Sequence, residues 1–176
     1  MPLNMNANYQ IRRLTDQDAT AYAQLRLKAL QTDPIAFYAT YDLEAEKKEF
    51  QFASELSWAF KEPIFGYYGV WAEENLVAYV QLDQGYFAKQ QHVGFFFNLY
   101  VSPEVRNQGI ASTLMSTLLE KCRQFGLEVV FVSHNGVNSS AHALYQKLGF
   151  VQCGSKPKCV KWQGVYDDEV EMVKML

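Results

Sequence analysis

A chain of 176 residues is long enough for one domain with a sizeable core. Its 49% apolar and 15% aromatic content excludes disorder and fits a packed α/β or α+β domain. A formal charge of −3 with no strongly basic stretch argues against a nucleic-acid partner, because affinity for phosphate backbones comes mainly from basic groups.

Three cysteines, Cys122, Cys153 and Cys159, give an odd count without metal-type spacing. They are read as free thiols in a reducing, cytoplasmic compartment. His92, His134 and His142 show no ligand spacing with them, so no metal is expected. Residues 1–8 are polar, lack a signal-type apolar segment and read as an N-terminal extension. No run is long enough to cross a bilayer, so no membrane partner is expected.

In chain order, residues 9–13 form a first short strand. Thr15 to Asp18 then has the pattern of a capping box. The helix after it carries Ala21, Leu25, Ala29 and Leu30 at helical spacing and stops before Asp33-Pro34. A second helix is predicted over about 43–60, with Phe52, Leu56 and Phe60 on one face and Pro63 ending it. Residues 65–72 and 76–82 form a hairpin around Glu73, Glu74 and Asn75. Residues 93–101 form the next strand, and Ser102-Pro103 closes it. Residues 109–125 form a helix with Ile110, Leu114, Leu118 and Cys122 on one face and Gly126 as C-cap. Residues 129–132 look like a buried parallel strand. Asn138 caps a last helix that bears Ala141, Leu144, Tyr145 and Leu148 and ends at Gly149. Phe150 starts another strand, and 170–173 form the last one. The order is β-α-α-β-β-β-α-β-α-β-β.

The informative unit runs from Leu99 to Ser112. A strand enters a Pro-containing turn, then Arg106-Asn107-Gln108-Gly109-Ile110-Ala111, then an apolar helix. Such a junction is an anion site. Gly109 allows close backbone approach, and the first helical turn offers unpaired N–H groups with a favourable dipole. Ala111 keeps the approach open, Ser112 adds a hydroxyl donor, and Arg106 can offset phosphate charge. The chain lacks the P-loop pattern and the dinucleotide fingerprint. Taken alone, the short motif fits a plain helix-entry turn equally well.

A second segment, Asn138 with Leu144-Tyr145-Gln146-Lys147-Leu148-Gly149-Phe150, follows the next strand. Together the two segments and the element order resemble the GNAT superfamily of acyl-CoA-dependent N-acyltransferases. The resemblance spans one N-acetyltransferase domain over 9–176. It implies an α/β (α+β) fold with a mixed, mostly antiparallel central sheet, helices on both faces and a splayed parallel strand pair. It also implies acetyl-CoA (CoA) as cofactor, with acetyl transfer to a primary amine of a small molecule or peptide through a tetrahedral intermediate.

By the same resemblance, Leu99 and Val101 pair with the pantetheine arm, and the Val101 N–H polarises the thioester carbonyl. The amides of Gln108, Gly109, Ile110, Ala111 and Ser112, beside Arg106 and Asn107, hold the pyrophosphate. Asn138 contacts the cofactor near the pantetheine arm. Tyr145 is the expected general acid for the leaving thiolate, although a core aromatic at that position would read the same.

Many family members carry a Glu on the strand before the cofactor loop. Asn98 takes that place here and cannot be a base. Asp83, Glu73 and Glu74 lie on or near the preceding hairpin, where exposed acids are usually solvated, and a water chain to a carbonyl serves equally well. Phe95, Phe96 and Phe97 read as a strand buried on both faces, with Tyr67, Tyr68, Tyr86 and Phe87 as better acceptor-pocket candidates. His134 could line the cleft but reads more simply as solvated. The competing function is a non-catalytic acyl-CoA-binding or sensory domain. Monomer and homodimer are both open.

Overall fold

The computed structural model describes residues 9–58 and 64–176, without the side chain of Trp58. It is organised by a seven-stranded sheet. In chain order the elements are β1 (Tyr9–Arg13), α1 (Ala19–Thr32), α2 (Tyr41–Ala45), α3 (Glu49–Trp58), β2 (Gly66–Ala72), β3 (Asn75–Gln84), β4 (Val93–Val101), α4 (Ile110–Phe125), β5 (Val129–Asn135), α5 (Ser139–Lys147), β6 (Val151–Trp162) and β7 (Val165–Met175). The spatial order is β1-β2-β3-β4-β5-β7-β6, and only β4 and β5 run parallel. That is the mixed, mostly antiparallel sheet that the resemblance implies.

Local chemistry sets the entry to α1. Asp18 accepts the Thr15 N–H at 2.8 Å, the reach-back half of a capping box, and Arg12 grips the same carboxylate with two bonds of 2.7 and 2.8 Å. The expected second helix is instead two short ones. Glu44 turns inward to a buried partner at the end of α2, and the Lys48 N–H donates to Gln51 Oε1, starting α3 afresh. Phe60 and Pro63 lie outside the described residues.

Alternation along β3 shows how two cores form. Ala78, Val80 and Leu82 face α4 and α5 together with Ile110, Leu114, Leu118, Cys122, Phe96, Val130, Val132 and Phe150. Tyr79 faces the other way, into a second core of Tyr22, Leu25, Leu30, Phe52, Leu56, Tyr67, Trp71 and Tyr100 under α1 and α3. Helices therefore cover both faces. The second cover ends near β4. Phe96 is buried, whereas Phe97 is 45% exposed and Phe95 only partly covered. This corrects the expectation of a strand buried on both faces.

The C-terminal hairpin is longer than expected. β6 and β7 are joined by Gln163 and Gly164, both at positive φ. β6 is an edge strand, and its ladder with β7 shifts register between Lys156 and Val160, around Pro157. Because most of its residues are solvent-facing, it shows no apolar alternation.

Arg26 of α1 and Glu44 of α2 form a buried pair, with bonds of 2.9 and 3.0 Å. Burial works against the guanidinium charge, but the bonds to Glu44 together with the nearby Tyr79 and Tyr22 hydroxyls outweigh it and hold the Arg26 pKa above its ordinary value. Arg26→Leu leaves the buried Glu44 with only Lys47, at 3.7 Å, as a cationic neighbour. The expected loss is about 3–5 kcal/mol, read from urea unfolding, and Arg26→Leu with Glu44→Leu should recover about half of it.

Candidate active site

β4 and β5 pair only from Val93↔Val129 to Phe96↔Val132. Beyond Phe96 the two strands separate. The cause lies on the opposite edge of β4, where the ladder with β3 slips between Tyr79↔Tyr100 and Gln81↔Phe97. The extra residue in β4 is accommodated by Asn98 at φ 55°, a left-handed conformation that Asn tolerates better than most side chains. Asn98 Nδ2 donates to Gln81 Oε1 at 2.9 Å, and Asn98 Oδ1 lies 3.4 Å from Arg26 Nη1. The side chain expected at the place of a base thus holds a bulge open.

The Ser102 N–H donates to Val77 O, so Ser102 and Tyr100 turn their backbone groups toward β3. By alternation, Leu99 and Val101 turn theirs toward the gap, where β5 no longer meets them. The Val101 carbonyl accepts from Arg106 Nε at 2.9 Å, but its N–H faces open space. The gap opens into a cleft of about 1420 Å³, lined toward α4 and α5 by Leu99, Val101, Arg106, Asn107, Gly109, Ile110, Ala111, Ser112, Asn138 and Tyr145. Ten of the eleven positions expected to bind cofactor are therefore brought together. Gln108 does not line the cleft, and its Oε1 accepts from the Tyr9 hydroxyl at 2.8 Å.

The loop before α4 is shaped by Asn107 at φ 62° and Gly109 at φ 80°. A Cβ at Gly109 would meet nothing within 4 Å, so that face is open to a ligand. The first helical bond runs from Thr113 N to Gly109 O. The amides of Ile110, Ala111 and Ser112 are left without backbone acceptors at the positive end of a sixteen-residue helix. Arg106 differs from expectation. Its guanidinium pairs with Asp33 at 2.6 Å and lies over Tyr100, strapping the loop after α1 to the end of β4.

Asn138 caps α5 by accepting from the Ala141 N–H at 3.1 Å. Tyr145 is 6% exposed and stacks obliquely near Phe150 and His134. Burial raises its phenol pKa, and no hydrogen bond claims its hydroxyl among the described residues. His134 is buried rather than solvated. Its Nδ1–H donates to the Asn135 carbonyl at 2.8 Å, which leaves Nε2 to meet His142 Nδ1 at 3.0 Å. Sequence spacing could not reveal that pair, because the two residues come from different elements.

On the acceptor side, Tyr67 and Tyr68 are buried in the cores, and Tyr86 and Phe87 are exposed and line no part of the cleft. Phe95, Phe97, Phe131, Gln81, Asp83, Glu169 and Glu171 line it instead. Glu73 at the hairpin turn does not.

The sequence matches the acetyltransferase (GNAT) family over residues 28–150. It is 41% identical over 64 residues to N-acetyltransferase 8 of Homo sapiens, covering 36% of this chain and 28% of that protein. It is 24% identical over 149 residues to an uncharacterized N-acetyltransferase of Methanocaldococcus jannaschii, covering 84% of this chain and 62% of the other. The chain thus spans less than two thirds of the length of either relative. The fold is similar to a GNAT-family acetyltransferase from Streptococcus pneumoniae, with TM-score 0.85 and 20% identity over 96% of this chain and 100% of that one. It is also similar to a phosphinothricin acetyltransferase from Sinorhizobium meliloti in complex with AcCoA, with TM-score 0.82 and 20% identity over 96% and 88% of the two chains.

If Asn98 serves the bulge, its conformation and its bonds contribute separately to stability. Asn98→Gly removes the bonds to Gln81 and Arg26 but keeps the left-handed geometry accessible. Asn98→Ala loses both, and should unfold in urea with about 1 kcal/mol less stability than Asn98→Gly.

Proposed function

Since the chain belongs to the acetyltransferase (GNAT) family, we propose that it moves an acetyl group from acetyl-CoA to a primary amine. One observation carries this reading. The splayed end of β4, with the Leu99 and Val101 backbone facing the gap, runs directly into the unpaired amides of α4. An extended arm can add to β4 as a strand while a pyrophosphate meets Ile110, Ala111 and Ser112. The open face of Gly109 fits that group, because a side chain there would occupy the approach.

Acetyl-CoA supplies a thioester, an acyl carbon with a thiolate leaving group. The Val101 N–H is placed to stabilise charge that develops on the carbonyl oxygen. As the amine nitrogen bonds to the acyl carbon and the C–S bond breaks, the Tyr145 hydroxyl gives its proton to sulfur. Burial raises the Tyr145 pKa, so the phenol carries its proton at neutral pH but is a weaker acid than an exposed tyrosine. The incoming ammonium must lose a proton first. A lysine-like amine is neutral in only roughly one molecule per thousand near pH 7.4.

An acetylation assay over an amine panel, with mass detection of product, tests the reading. A non-catalytic acyl-CoA sensor would show thermal stabilisation by CoA but release no thiol with any amine. Saturating CoA, at about 100 times Kd, should add about 3 kcal/mol of stability. Gly109→Val should abolish that stabilisation. Tyr145→Phe should retain it, while the single-turnover acetylation rate falls at least tenfold. An unchanged rate would remove Tyr145 from the chemistry.

A further inference from the structure

Three aromatic rings form a row on the sheet face left uncovered beyond α1. Phe97 and Phe95 lie 6.1 Å apart at 11°, and Phe95 and Phe131 lie 5.7 Å apart at 21°. All three line the cleft. Asp83 of β3 sits directly across from Phe95 and lines the cleft with them. Its carboxylate is fixed by Gln81 Nε2 at 2.7 Å, and no cation pairs with it among the described residues. Burial raises the Asp83 pKa, with the Gln81 bond acting the other way. A half-buried carboxylate in an open cleft, without a counter-charge, is stabilised by a cationic ligand.

The other wall has the same sign. Glu171 pairs across from Ser133 and Glu169 across from Asn135, and Lys156 binds both carboxylates at 3.0 and 2.7 Å. Of the basic side chains lining the cleft, Arg106 is paired with Asp33 and Lys156 with the two glutamates. Lys147 belongs to α5, a helix whose Ala141 and Leu144 pack on the core that holds Phe96, the sheet face opposite Phe95 and Phe97. Among the described residues, no lysine or arginine of β3, β4 or β5 stands beside Phe95 and Phe97 to receive a carboxylate.

Distance decides which part of the acceptor Asp83 meets. Asp83 lies five residues along β3 from Ala78, the partner of Val101, so it sits roughly 16 Å from the Val101 N–H at about 3.3 Å per residue. It is too far away to touch the nitrogen being acylated. We propose that the acceptor is an elongated diamine without a carboxylate, lying along Phe97 and Phe95 with its second ammonium on Asp83. This rests on the acetyltransferase reading above. The apolar row takes the methylene chain, and the acidic walls reject an anionic end.

Three amines of equal chain length isolate the far end: 1,6-diaminohexane, hexylamine and 6-aminohexanoate. With saturating acetyl-CoA, kcat/KM for the diamine should exceed that for hexylamine at least tenfold, with 6-aminohexanoate below both. Asp83→Asn should shrink the diamine-to-hexylamine ratio toward one, and Asp83→Glu should restore part of it. Taking the ratio within each variant cancels any general loss of folded protein. Equal use of diamine and hexylamine, or a ratio that survives Asp83→Asn, overturns the diamine assignment and leaves the acetyltransferase reading intact. No product or thiol release from these or any other amine of the panel overturns both.

Discussion

The left-handed kink at Asn98 is the constraint on which the site depends. A regular β4 would continue its ladder with β5 past Phe96 and close the sheet. The inserted residue turns the strand away, so β4 keeps its partner on one edge and loses it on the other. A positive φ at a non-glycine residue costs free energy, and the surroundings offset it here. Gln81 from β3 and Arg26 from α1 both reach the Asn98 amide, and Arg26 is itself fixed by Glu44. The helical layer, the bulge and the gap are thus one mechanical unit. A substitution on α1 or α2, distant in sequence from the cofactor loop, acts on the same opening.

Around that opening the polar groups are sorted by sign. At the end toward α4, donors prevail: the amides of the first helical turn and the Val101 N–H. At the end toward β3 and β7, acceptors prevail: Asp83, Glu169 and Glu171. The potential therefore changes sign along a single cleft, which suits an anionic partner at one end and a cationic one at the other. Arg106 fits this division in an unforeseen way. Its charge is paired with Asp33, so the donors left unpaired at this end of the cleft are backbone amides, which cannot be lost by side-chain rotation.

Legibility from the sequence followed the range of the interaction. The turn at Gly109, the cap at Asn138 and the start of α1 at Thr15 to Asp18 are contacts over three or four residues, and each was visible as a pattern. The break between α2 and α3 has no local signal because it depends on Glu44 reaching Arg26 on another element. The last two strands were underestimated because an exposed edge strand has no apolar alternation to detect. The aromatic run 95–97 has the composition of a doubly buried strand and is not one, because residue type does not report where a covering helix stops.

The sequence by itself determined the order of the strands, the helix-entry turn at Gly109 and ten of the eleven expected positions that line the cleft, since all of these are written in local spacing and turn chemistry. Only the tertiary structure decided where the sheet opens, that Asn98 props the bulge, that His134 is buried against His142, and that Asp83 faces Phe95 with no counter-charge among the described residues. Each of these depends on residues eight to seventy-two positions apart meeting across strands and helices. Such contacts are set by register and packing, which no local window of sequence contains.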